Sequence, residues 1–155
     1  MEKEKRDKNM TKGELAKEYF EKGLACSQAV ALAFKDELGI GELEIKKIMI
    51  GFGGGFARQR LVCGAVSGLT FVLSYLLSDG QDKLAIYSII QDACKDVKDQ
   101  VGSLICGELL SGKIEVNTNP RPDDRTVEYY KKRPCGDLVK LIADVAQKHL
   151  ELNKK

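Results

Sequence analysis

The sequence predicts an all-α fold, a compact bundle of about six helices around a buried central helix. Three observations carry that expectation: apolar residues recur every three to four positions in one segment after another, most segments stop at a glycine, and none shows the two-residue alternation of a half-buried strand. Only residues 113–116 resemble a short strand. A chain of 155 residues suits one domain with its own core. The expected organisation is a charged tail at 1–10 and a single helical domain at 11–155, with a polar connection at about 112–133.

Residues 1–10, MEKEKRDKNM, have no apolar stripe to bury and read as a solvated charge run. Thr11 with Glu14 three residues on is a capping box, and Leu15, Tyr19 and Phe20 continue at helical spacing to a stop at Gly23. Residues 27–38 form the next expected helix, with Ala29, Val30, Ala33, Phe34 and Leu38 on its stripe and Gly39 at its end. Residues 42–50 form a third, using Leu43, Ile45, Ile48 and Met49, closed by the cluster Gly51-Phe52-Gly53-Gly54-Gly55.

Residues 61–78 run for eighteen positions without a charge. At 1.5 Å per residue that is ~27 Å, short of a ~30 Å hydrocarbon layer. Gly64, Ser67, Gly68, Thr70, Ser74 and Tyr75 interrupt its apolarity, so the segment reads as the central helix of the bundle and not as a membrane span. Gly64 and Gly68 share a face on which a neighbouring helix can come close. Residues 82–101 form an amphipathic helix with Leu84, Ile86, Ile90, Cys94, Val97 and Val101 inward, and 104–110 a short apolar one. All three prolines fall between 120 and 134, in the one long connection, where length points to function or mobility. The last helix, 134–150, opens on Pro134 and lines up Leu138, Leu141, Ile142 and Val145.

Twenty-five basic and 23 acidic side chains leave a net charge of +2, which excludes the one-signed surface of a nucleic-acid-binding protein. With no signal-peptide pattern at the start, a cytoplasmic address is expected, where thiols stay reduced unless their chemistry is in use. Attention therefore falls on the five cysteines.

Cys26, Cys63, Cys106 and Cys135 are each followed by Ser or Gly, and Cys26, Cys63 and Cys135 fall at expected helix starts. A helix N-terminus stabilises a thiolate, and a small following residue leaves the sulfur accessible, the two conditions for redox exchange or metal ligation. Cys94 instead continues a mid-helix apolar stripe and reads as packing. The four are 37, 43 and 29 residues apart, without a C-x-x-C pair, so any shared site must be assembled from separate helices. The single histidine, His149, reads as a surface or edge residue. Arg58 and Arg60, just before Cys63, are candidate supports for a thiolate, with solvated loop cations as the alternative. The glycine cluster lacks the spacing of a nucleotide loop.

Cys63-Gly64-Ala65-Val66-Ser67-Gly68 fits Cys-Gly-Ala-x-x-Gly, with one cysteine upstream and two downstream. In this the chain resembles the C_GCAxxG_C_C family, over about 16–141. By position, the resemblance implies that the family's four cysteines are Cys26, Cys63, Cys106 and Cys135, and that their chemistry is redox.

Three functions compete at this point. The first is thiol–disulfide exchange or electron transfer by the four cysteines, for which three pairings exist and no cofactor is required. The second is a metal-binding module in which the same four cysteines ligate zinc or an iron–sulfur cluster. The third is a structural or transporter-associated interaction protein. A redox protein partner and a homodimer are both compatible with the sequence, and membrane insertion is not expected.

Overall fold

Residues 9–154 are described by the computed structural model of the chain; positions 1–8 of the expected charged tail lie outside them. Among the described residues the ordered elements are helical: α1 (Lys12–Glu21), α2 (Cys26–Leu32), α3 (Lys35–Leu38), α4 (Glu42–Met49), α5 (Gly64–Leu77), α6 (Lys83–Val101), α7 (Cys106–Leu110), α8 (Val127–Lys132) and α9 (Cys135–Asn153). The fold is all-α. The only strand-like pairing among the described residues is a single antiparallel bridge, Val62 with Ile105, and 113–116 is not a strand.

Local chemistry places the ends. Thr11 caps α1 by accepting from the Glu14 amide at 3.0 Å, and Asp82 caps α6 by accepting from Ala85 at 2.9 Å. Gly39 and Gly102 close α3 and α6 in the left-handed conformation, where a side chain would be strained. The helix expected at 27–38 is broken in two at Phe34, whose amide bonds the Ala31 carbonyl only three residues back at 3.0 Å and whose side chain is fully buried.

The core lies between α1, α2, α5 and α9, with α6 along one side. Phe20 of α1, Val30 and Leu32 of α2, Leu69, Val72 and Leu73 of α5, Val97 of α6 and Ile142 and Ala146 of α9 are all buried. Two glycines bring helices to close range. A Cβ on Gly68 would lie 2.9 Å from the Val30 Cβ, so the face that Gly68 opens on α5 receives α2. A Cβ on Gly13 would lie 2.4 Å from the Lys140 carbonyl of α9, whose Asp144 accepts from the Gly13 amide at 2.7 Å.

Three expectations need correction. α5 is not enclosed on all sides: Ala65, Val66, Gly68, Leu69, Val72, Leu73 and Leu77 are buried, but Tyr75 is exposed. Leu43, Ile48 and Leu84 are exposed, as their helices bury a narrower stripe than the apolar spacing suggests. His149 is buried on α9, not at an edge, and its Nε2 lies 3.0 Å from the Asp96 carboxylate of α6. Lys148 joins the same carboxylate at 2.9 Å, and the hydrogen bonds from Lys148 and His149 hold the Asp96 pKa well below the usual range. No described helix is long and apolar enough to cross a membrane.

Candidate functional site

The backbone between α4 and α5 departs from ordinary helix geometry. After the 3₁₀ turn Ile50–Phe52, Gly54 and Gly55 take positive φ, and so do Phe56, Ala57, Arg58 and Arg60 (φ from +55 to +66° for these four). Non-glycine residues in this region cost on the order of 1 kcal/mol each and persist where surrounding structure over-determines them. Here the surroundings are explicit. Amides of Arg58, Arg60 and Leu61 return to the carbonyls of Gly53, Gly54 and Gly55 at 3.1 Å. Ala57→Gly, at an exposed position with φ of +55°, is expected to stabilise the fold by about 0.5–1 kcal/mol in urea unfolding.

This turn delivers the chain to a pairing that joins two cysteines. Cys63 donates its amide to Leu104 O at 2.8 Å, Cys106 donates to Leu61 O at 2.6 Å, and Gly107 donates to Arg60 O at 3.1 Å. Cys63 is thereby the N-cap of α5, and Cys106 the first residue of α7. Cys26 is the first residue of α2, whose start is pinned to α4: Ser27 Oγ donates to Met49 O at 2.7 Å and Gln28 Nε2 to Lys46 O at 3.0 Å. Cys135 opens α9 after Pro134. All four helix-start cysteines line one cavity of about 310 Å³. Cys94 does not line it and packs against the core from α6.

Glycines make the room that the sulfurs occupy. A Cβ on Gly64 would sit 2.5 Å from Cys26 Sγ, and one on Gly55 would sit 2.9 Å from the Cys106 Cβ. Four arginines, Arg58, Arg60, Arg125 and Arg133, and one carboxylate, Asp123, share the wall with apolar side chains such as Phe20, Leu110 and Val139.

Each arginine has a describable task. Arg58 reaches the carbonyls of Asn119 and Arg121 and lies 3.5 Å from Asp123, so it ties down the long connection and makes no hydrogen bond to a thiol. Arg60 is buried, donates from Nε to Asn117 O at 3.0 Å, and directs Nη1 toward Cys106 Sγ at 3.8 Å. The picture of a solvated loop cation is therefore wrong for Arg60. Arg125 donates to Phe20 O and Leu24 O, with its guanidinium over the Phe20 and Tyr129 rings at 4.5 and 4.7 Å. Arg133 covers the Tyr129 ring at 4.4 Å and pairs with Asp123. Sequence reasoning missed Asp123, Arg125 and Arg133; the Arg-Pro-Cys run and the Tyr129-Tyr130 pair were the only local signals.

Electrostatics correct a second expectation. Helix N-termini do aim amides at the sulfurs, those of Ser27 and Ala65 at Cys26 and those of Ala65 and Val66 at Cys63, and the turn adds the Gly54 amide at Cys26. Burial outweighs them. It raises the thiol pKa of Cys26 and Cys63, and it pushes Cys135 up to about 12, helped by the nearby Cys26 sulfur and opposed by Arg133. Among sulfurs, Cys26 is the strongest electrostatic neighbour of both Cys63 and Cys135. Every cysteine is a free thiol. Among the described residues no group of three or more His, Cys, Asp or Glu side chains is placed so that it could hold a metal ion.

The chain is thus an all-α protein in which cysteines from four helix starts share one arginine-lined cavity. The chain belongs to the family described as "Putative redox-active protein (C_GCAxxG_C_C)", matched over residues 24–149. No curated protein and no solved structure matches it.

Proposed function

We propose that Cys26, Cys63, Cys106 and Cys135 carry out thiol–disulfide exchange, with Cys26 as the common member of the bridges formed. The observation that carries this reading is the convergence of four sequence-distant thiols on one cavity while the fifth is left out. In the oxidative direction a cavity thiolate attacks an acceptor disulfide and expels one thiolate. A second cysteine then attacks the mixed disulfide and expels the other. The chain loses two electrons and two protons, and the acceptor becomes two thiols. Amides of Ser27, Gly54 and Ala65 favour the Cys26 thiolate that must form, and the central position of Cys26 favours it as the attacking or resolving sulfur.

The test is mass spectrometry after brief exposure to the thiol oxidant diamide, which takes up the two electrons and two protons of each bridge, and alkylation of the remaining thiols. Loss of two hydrogens per bridge is expected, with bridges confined to the four cavity cysteines and Cys94 alkylated. Cys26→Ser is expected to suppress bridge formation strongly and Cys94→Ser to leave it unchanged. A bridge through Cys94, or a chain that stays fully reduced, would overturn the reading.

A further inference from the structure

The chemistry of the sulfurs leaves one buried group without a role. Arg60 is only 7% exposed, and its Nη2 is buried with no hydrogen-bond partner among the described residues. Its other nitrogens are engaged: Nε donates to Asn117 O, and Nη1 approaches Cys106 Sγ. An orphaned guanidinium nitrogen at this depth is costly unless something accepts from it. Arg60 lines the cavity, and the groups around it narrow what the acceptor is.

Among the described residues one carboxylate lines the cavity, Asp123, and it is held by Arg58 and Arg133 and is not bonded to Arg60. The remaining wall is largely apolar, formed by Phe20, Ile50, Leu109, Leu110, Leu138 and Val139. At about 310 Å³ the space is at the small end of ligand cavities, which run ~300–1,000 Å³. The excess of cationic over anionic side chains favours a negatively charged occupant. One free amino group of one guanidinium matches one carboxylate oxygen, and the apolar wall suits an organic body that inorganic phosphate lacks. We propose that the cavity binds a small organic carboxylate, its charged end on Arg60 Nη2 beside Cys106 and its apolar body against Leu109, Leu110 and Leu138.

This goes beyond the exchange reading and does not depend on it, because binding is measured with every thiol reduced. Isothermal titration of the full chain in reductant uses three probes: phenylacetate, its neutral isostere phenylacetamide, and inorganic phosphate. Phenylacetate is expected to bind, and phenylacetamide to bind roughly tenfold to a hundredfold more weakly, the range of a charge-assisted hydrogen bond. Arg60→Met is expected to remove that preference for the acid, with circular dichroism confirming the fold. Should Arg60→Met not fold, the guanidinium resonances of Arg60 in ¹⁵N-arginine-labelled wild-type protein supply the readout, and phenylacetate is expected to shift them. Equal binding of acid and amide, binding of phosphate without phenylacetate, absence of all binding, or unmoved Arg60 resonances would each overturn the proposal. Bridge formation that fails in the oxidation experiment while phenylacetate still binds would dispose of the exchange reading alone.

Discussion

Between pH 9 and pH 10 the fold is expected to lose stability, by at most about 1.4 kcal/mol for each buried thiol kept protonated, against the ~5–15 kcal/mol typical of a domain. The cause is the suppression of thiol ionisation by burial at Cys26, Cys63 and Cys135. In the unfolded chain a thiol ionises near pH ~8.5. In the fold these three stay protonated to higher pH, Cys135 to about 12. Above pH ~8.5 the folded state therefore binds more protons than the unfolded state, and stability falls as pH rises, each group contributing at most about 1.4 kcal/mol per pH unit. Below pH ~8.5 the slope from the three thiols fades and is nearly gone by pH ~7.5. Urea unfolding at a series of pH values from neutral to about 10 measures this directly. Cys63→Ala shifts the whole curve through the cavity it leaves, but its diagnostic effect is a shallower alkaline slope. Tyr129, whose pKa burial also raises, steepens the decline only above pH ~10. A transition midpoint that stays flat across the alkaline range would refute the claim. Thiol alkylation has a matching signature: its rate should keep climbing through pH ~9 where an exposed cysteine levels off.

That ionisation penalty marks the point at which local sequence reasoning stopped being sufficient. Caps and stops were legible because they are local: Thr11 with Glu14 before α1 and Gly39 after α3 act over three or four residues. The choice of four cysteines over Cys94 was legible for the same reason, since a helix-start sulfur followed by Ser or Gly differs locally from one on a mid-helix stripe. The sign of the thiol pKa shift was not, because it is set by how much protein closes over the sulfur, and α2, α5, α7 and α9 meet only in three dimensions.

Arg125 illustrates the same limit. Its acceptors, the carbonyls of Phe20 and Leu24, lie 105 and 101 residues away, and no spacing rule operates over that distance. The left-handed stretch through Phe56, Ala57 and Arg58 was invisible because residues that ordinarily avoid positive φ carry no signal that they adopt it. Its function is nonetheless geometric. The turn lets Arg60 point inward toward Cys106 while its own carbonyl accepts from Gly107. Local strain thus sits beside the reactive sulfurs, held by contacts that the sequence distributes across α2, α4 and the long connection.

Gly64→Ala is expected to cost about 3 kcal/mol, the upper part of the overpacking range, and to disrupt the cysteine site at the same time. The added methyl would meet Cys26 Sγ at 2.5 Å and the Phe52 carbonyl at 2.7 Å. A flexible side-chain tip can swing aside, but Phe52 O belongs to backbone adjoining α4, which Ser27 and Gln28 bind to the same helix that carries Cys26. Neither side can retreat without the other. Gly51→Ala is the control, since a Cβ there meets nothing within 4 Å and its φ is ordinary, and its effect is expected within about ±0.5 kcal/mol. The decisive measurement is a double-mutant cycle. Cys26→Ala removes one of the two clashes, so Gly64→Ala should cost less in that background, with a coupling of about 1 kcal/mol or more. A cost for Gly64→Ala equal to that for Gly51→Ala, or strict additivity with Cys26→Ala, would show that the motif glycine is not there to admit the sulfur. A measurable coupling would tie the Cys-Gly-Ala-x-x-Gly pattern to a physical cause: the residue after Cys63 is small because Cys26 occupies the space its side chain would need.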